Sequence, residues 1–276
     1  MNKRSFIKNV GVMSAALSGG FMRLQQAVAA VEHVPAAALA ADEGFWQKVR
    51  DDYRIKPDYI NLENGYYCFL PEQTLEDLID HMRAVNYEGS YYMRTVQFEN
   101  KKKVADAVAA IVGCSAEEVA ITRNTTESLD LVIGGIDWQA GDEAVMAEQD
   151  YGAMLNHFEL MERRYGIVNR RVSVPNHPRD DNELVQLYAS AITDKTRLLM
   201  VSHMINITGQ VLPVRKIVDM AHARGVEVMV DGAHAYSHVP FQMSDLDCDY
   251  YGTSLHKWLS APLGSGMLYV KKEKID

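Results

Sequence analysis

From about residue 100 the apolar positions of the chain alternate between a helical and a strand period. Lys101 to Val112 predicts a helix, with Val104, Ala107, Val108 and Ile111 on one face. Val119 to Thr122 predicts a short strand. Thr126 to Ile136 predicts a helix with Leu129, Val132 and Ile133 inward. The alternation continues with strand Glu143–Ala147, helix Ala153–Tyr165, strand Val168–Val174 and helix Asn182–Ile192, whose stripe is Leu184, Leu187, Tyr188 and Ala191. Arg197 to Ser202 has an uninterrupted apolar centre, as a strand covered on both faces requires. Val214 to Arg224 predicts a helix stopped by Gly225. Val226 to Val230 is a second buried strand, and Tyr250–Ser254 and Met267–Val270 are strands near the end. Strand–helix repetition of this kind predicts an α/β three-layer sandwich with a mostly parallel sheet. Ligands of such sheets bind outside the carboxyl ends of the strands.

The chain has 276 residues, 47% hydrophobic and 24% charged, which is enough for one large domain with appendages. Its formal net charge of -9 argues against nonspecific binding to nucleic acid or an anionic membrane. Three cysteines, Cys68, Cys114 and Cys248, are too few for a disulfide framework, and none has metal-ligand spacing. The first residues read as an export signal over 1–29. The start Asn2-Lys3-Arg4-Ser5-Phe6-Ile7-Lys8 is basic, a short weakly apolar stretch follows, and Ala27-Val28-Ala29 is a cleavage site. The stretch is too short to span a membrane. It is similar to a twin-arginine signal, with Lys3 where the first arginine should stand. The expectation is an exported, periplasmic chain that begins near Ala30; the alternative is a cytoplasmic one. An Ala-rich linker over 30–42 and an N-terminal segment over 43–100 precede the large domain over 101–276.

The residues that suggest chemistry each follow a predicted strand. Asp231 ends Val226–Val230, and a carboxylate there is costly to bury without a cationic partner. Gly232-Ala233 places small residues where a flat ring approaches the backbone, and His234 after them is placed to contact the ring hydroxyl or the aldimine, a catalytic candidate with Asp231 and Lys257. Lys257 lies in Ser254-Leu255-His256-Lys257. A buried-strand carboxylate and a later lysine are the parts that pyridoxal phosphate needs. The lysine makes a Schiff base with the aldehyde, and the aspartate keeps the pyridine nitrogen protonated. Such a lysine, buried near a cationic ring, has a depressed pKa and can move the proton on a substrate's α carbon. Arg123-Asn124-Thr125-Thr126-Glu127-Ser128 joins a strand to a helix, where free N–H groups and the hydroxyls of Thr125 and Thr126 suit an anion. An ordinary N-cap explains Asn124 or Thr125 equally well. Tyr151 is an aromatic residue placed to stack on a ring. Asn206, or His203 in its stead, is placed to donate a hydrogen bond to the ring oxygen. Nucleotide loops, zinc-protease motifs and the Gly-x-Ser-x-Gly elbow are absent from the sequence.

On the elements Asp231-Gly232-Ala233-His234 and Ser254-Leu255-His256-Lys257, with Gly264-Ser265-Gly266 after them, the chain resembles the class V aminotransferases of PLP fold-type I. The likeness is nearest to the isopenicillin N epimerase-like and cysteine desulfurase-like branch. Desulfurases usually have glutamine at the place of His234 and histidine at that of Tyr151. The resemblance implies that Thr125, Thr126, Ser254 and His256 hold the phosphate. It implies that Tyr151 stacks on the ring, Asp231 pairs with its nitrogen and Lys257 bonds its aldehyde. Asn61 to Tyr66 resembles the N-terminal segment that approaches the active site. The family carries a smaller C-terminal domain beyond this point, which normally supplies an arginine for the substrate carboxylate. The chain is therefore expected to be a fragment of a homodimeric enzyme, with a small-molecule substrate, an amino acid or amine, and transamination, epimerisation or elimination as its reaction. The alternative is a non-catalytic protein of the same fold that binds the cofactor, or only a partner.

Overall fold

A computed structural model of the protein describes residues 30–31 and 33–275; the expected export signal lies outside the described residues. Among the described residues helices come first: α1 (Ala36–Ala40), α2 (Glu43–Arg50), α3 (Glu72–Glu88), α4 (Ser90–Thr95) and α5 (Gln97–Val112). Then strands and helices alternate: β1 (Val119–Thr122), α6 (Thr125–Gly135), β2 (Glu143–Ala147), α7 (Gly152–Tyr165), β3 (Val168–Val172), α8 (Asp181–Ala191), β4 (Thr196–Ser202), α9 (Val214–His222), β5 (Glu227–Asp231), α10 (Met243–Leu246), β6 (Tyr250–Ser254) and β7 (Gly266–Val270).

The strands form one sheet in the order β1-β7-β6-β5-β4-β2-β3. All neighbours are parallel except at β7, which runs antiparallel to both β6 and β1. Side chains alternate faces along a strand, and both faces here are apolar. Leu198, Met200 and Met229 pack with Leu129, Ile133, Met154 and Phe158 of α6 and α7. Leu199, Val201, Val228 and Val230 pack on the other side with Leu184, Tyr188, Ile217 and Val218 of α8 and α9. This is the three-layer sandwich expected from the sequence. Each such side chain contributes roughly 1.5–3 kcal/mol on leaving water.

The departures from expectation have local causes. Helices α2 to α4 fall in the stretch the sequence left without elements. α3 buries none of its residues in this fold. Helix α5 begins four residues before Lys101. β3 ends at Val172, because the Val174 N–H bonds the Gln149 side chain instead of a neighbouring strand. Helix α9 ends at His222, and Gly225 closes the following turn at φ 72°.

The parallel register brings five strand ends to one rim. Ser202 lies beside Asp231, Asp231 beside Gly252, and Gly266 between Ser254 and Thr122. Two glycines let α6 settle on that rim. A Cβ at Gly252 would stand 2.6 Å from the Leu129 side chain, and one at Gly266 would stand 2.5 Å from the Asn124 nitrogen.

Candidate active site

A cavity of about 400 Å³ opens at this rim. One wall is the start of α6. Asn124 is its N-cap, and its Oδ1 accepts from the Glu127 N–H at 2.8 Å. Ser254, at the end of β6, accepts from the Thr125 N–H at 2.8 Å and shares a 2.7 Å hydroxyl bond with Thr125. Thr126 completes the turn, and all four residues line the cavity. With the Thr125 N–H on Ser254 and the Glu127 N–H on Asn124, the Thr126 N–H, the clustered hydroxyls and the positive end of an eleven-residue helix remain, a donor set that suits an anion. His256 stands beside it. Its Nδ1–H donates to the Ser265 carbonyl at 3.2 Å, and burial pushes its pKa down.

The floor is Asp231. Its Oδ1 accepts from the Ala233 N–H at 3.0 Å. Among the described residues its other oxygen takes no hydrogen bond, and the side chain borders the cavity. Burial pushes its pKa up, partly offset by the Lys257 charge. A fully buried carboxylate with one oxygen free fits a ring N–H⁺. The backbone comes close here because residue 232 is glycine; a Cβ would run into the Tyr251 ring.

Behind Asp231 lies a second carboxylate. Asp150 accepts from the Ser202 hydroxyl and from the Ala147 N–H, each at 2.7 Å. Burial pushes its pKa up to about 7, and the Asp231 charge adds to the effect. Tyr151 follows it as the N-cap of α7, 43% exposed toward the cavity.

Lys257 and His234 close the far side. Lys257 Nζ lies 3.3 Å from His234 Nε2, and the Trp258 indole N–H reaches His234 Nδ1 at 3.3 Å. Burial pushes the Lys257 pKa down, while Asp231 and Glu63 favour its charge. Burial, then the Lys257 charge, pushes His234 down to about 4.

The segment from Glu63 to Tyr66 lies across the opening. The Glu63 carboxylate accepts from the N–H groups of Gly65 and Tyr66. The Cys68 N–H bonds the His256 carbonyl at 3.0 Å, and the Ser260 hydroxyl reaches the Cys68 sulfur at 3.0 Å. These two bonds tie the segment to the Lys257 loop.

All nine residues expected to bind a cofactor line this one cavity: Thr125, Thr126, Tyr151, Asn206, Asp231, His234, Ser254, His256 and Lys257. His203 does not. It is buried against Phe241 and Tyr251, and burial pushes its pKa down to about 4. Glu63, Gly65 and Tyr66 of the segment expected to approach the site line the cavity, whereas Asp150 and Trp258 were not anticipated. Trp258 was detectable only as the neighbour of Lys257, and Asp150 only as an acid one residue before Tyr151. None of the three cysteines borders the cavity.

The rim, floor and lysine together define the PLP fold-type I class, and comparison with known proteins gives the family. The aminotransferase class-V family model matches residues 70–276, and the chain belongs to this family. It is 28% identical over 231 residues to the isopenicillin N epimerase of Streptomyces clavuligerus, covering 84% of this chain and 58% of that protein. It is 32% identical over 225 residues to the cysteine desulfurase of Haloferax volcanii, covering 79% and 52%. Among solved structures, a lysine-to-alanine mutant of C-DES with glycine covalently linked to its PLP cofactor superposes with a TM-score of 0.75 at 26% identity, covering 82% of this chain and 61% of that one. A cysteine desulfurase of Escherichia coli gives 0.68 at 26%, covering 82% and 58%. The chain thus spans a little over half the length of these relatives. The family's cofactor is pyridoxal phosphate, and the donor set of the cavity fits it: an anion site, a buried free carboxylate oxygen and an amine.

Proposed function

We propose that the chain carries the cofactor-binding part of a PLP-dependent enzyme that breaks a bond at the α carbon of a small amino acid or amine. The observation that carries this reading is one cavity holding the start of α6, the Asp231 carboxylate and the Lys257 amine. When bound, pyridoxal phosphate supplies an aldehyde that condenses with amines and a ring that takes up the electron pair left on the α carbon. The chain's own residues supply the rest. Thr125, Thr126 and Ser254 hold the phosphate through N–H and O–H donors, and His256 flanks them. Asp231 keeps a charged ring nitrogen in place, Tyr151 covers one face, and Asn206 offers an amide to the ring oxygen. Lys257 is the covalent anchor and then the group that takes or returns the α proton. His234 orients it.

Transamination is the reading favoured, with epimerisation and β-elimination as its neighbours, since all begin with that proton transfer. None of the three cysteines lines this cavity, and burial pushes Cys114 up to about 11 and Cys248 higher still.

The test combines two readouts. Purified protein should bind PLP with a visible absorption band, and should exchange the α hydrogen of a small panel of amino acids and amines for deuterium in D₂O. Lys257→Ala should abolish the covalent band and lower exchange by about 10²–10⁴-fold. A band that persists unchanged in Lys257→Ala refutes the assignment. A band without exchange for any donor establishes the other reading, a chain that binds cofactor without turnover.

A further inference from the structure

We propose that Trp258 is a positioning residue that sets the proton of His234 on Nε2 and thereby holds Lys257 as a neutral amine before any cofactor arrives. The inference rests on hydrogen-bond counting. A neutral imidazole has a single N–H and one bare nitrogen. The indole Nε1–H of Trp258 can only donate, and it points at His234 Nδ1 from 3.3 Å. Nδ1 must therefore be bare, and the ring proton sits on Nε2. Nε2 faces Lys257 Nζ at 3.3 Å. That bond needs a lone pair on Nζ, which an ammonium lacks.

Trp258 is itself held. His238 stacks on its indole with ring centroids 4.0 Å apart and planes 20° apart, and the His238 Nδ1–H donates to the His234 carbonyl at 3.1 Å. The turn after β5 and the residue after Lys257 thus form one clamp around His234. The charged groups that face Nζ are Asp231 on β5 and Glu63 on the covering segment, and both favour the ammonium. Burial of Lys257 and the depressed basicity of His234 act the other way. The tautomer decides which side the histidine takes. With Nδ1 bare it donates to the amine; with Nε2 bare it would accept from an ammonium and stabilise the charge.

Two measurements on the full chain stripped of cofactor test this, so they stand or fall apart from the proposed reaction. Long-range ¹H–¹⁵N NMR on histidine-labelled protein, with His234 assigned from the signals lost in His234→Asn, should show the Nε2–H tautomer. The pH dependence of acetic anhydride labelling at Lys257, read by mass spectrometry, should give a pKa that rises by about one unit in Trp258→Phe. The same substitution in a His234→Asn background should leave it unmoved. An Nδ1–H tautomer in the unmodified chain overturns the proposal, as does an unchanged Lys257 pKa in folded Trp258→Phe. An equal shift in both backgrounds overturns it too, since Trp258 would then act through packing alone. If Trp258→Phe does not fold, the tautomer of the unmodified chain decides by itself. Failure to bind PLP would count against the proposed function and leave this result standing.

Discussion

Asp231 is costly to keep ionised where it lies. One oxygen is satisfied by the Ala233 N–H and the other borders the cavity. Asp231→Asn keeps the shape and removes the charge. Losing a charge-assisted hydrogen bond should weaken PLP binding by about 1.5–3 kcal/mol, measurable by equilibrium dialysis. A dissociation constant unchanged from the parent would show that the carboxylate does not pair with the ring. At this scale the sequence was readable where type and position carried the signal. An acid closing an apolar strand, or a lysine after Ser-x-His, announces itself. Asp150 and Trp258 did not, because their importance comes from contacts across the fold: Asp150 with Ser202, 52 residues away, and Trp258 with His234, 24 residues away.

At the scale of elements, the proposed phosphate site is a contact between α6, β6 and β7. It exists because Gly252 and Gly266 carry no side chain. Gly266→Ala would push on the Asn124 backbone, at a cost of about 1–3 kcal/mol. The expected result is a lower melting temperature together with weaker binding of PLP. Weaker stability with unaltered PLP binding would place the phosphate elsewhere. The strands and helices after residue 100 were legible because each buries a stripe against a sheet with apolar residues on both faces. Helix α3 carries a stripe of its own, Leu75, Leu78, Ile79, Met82 and Val85 at helical spacing, and was equally legible, although it buries nothing in this fold. Helix α4, six residues with only Tyr92 buried, is too short to show a period.

For the molecule as a whole, Asp150 makes stability depend on pH. Its folded pKa is raised to about 7 from the ordinary 3.8. Between those values the folded chain holds a proton that the unfolded chain has lost, so the contribution is complete below about pH 4 and is lost as pH rises through about 7. Urea melts of the parent and of Asp150→Asn, a fixed stand-in for the neutral acid, should therefore agree most nearly in acid and diverge as pH rises through about 7, with the parent losing stability; parallel curves would show that Asp150 is ionised throughout. Two larger expectations belong here as proposals. Export would leave a mature start near Ala30, which N-terminal sequencing of secreted protein would show, and an intact Met1 would contradict it. A homodimer, supported by exposed Tyr66, Tyr87, Tyr91 and Phe98 on the stretch before residue 100, would sediment at twice the chain mass.

The last strand of the sheet is also the one inserted between the first strand and the sixth. While a ribosome is still making residues 266–270, β1 has no neighbour, the start of α6 rests on β6 alone, and Ser254 lacks its strand partner Gly266. Vitamin capture therefore has to wait for β7, and nascent chains stalled before residue 266 should emerge colourless.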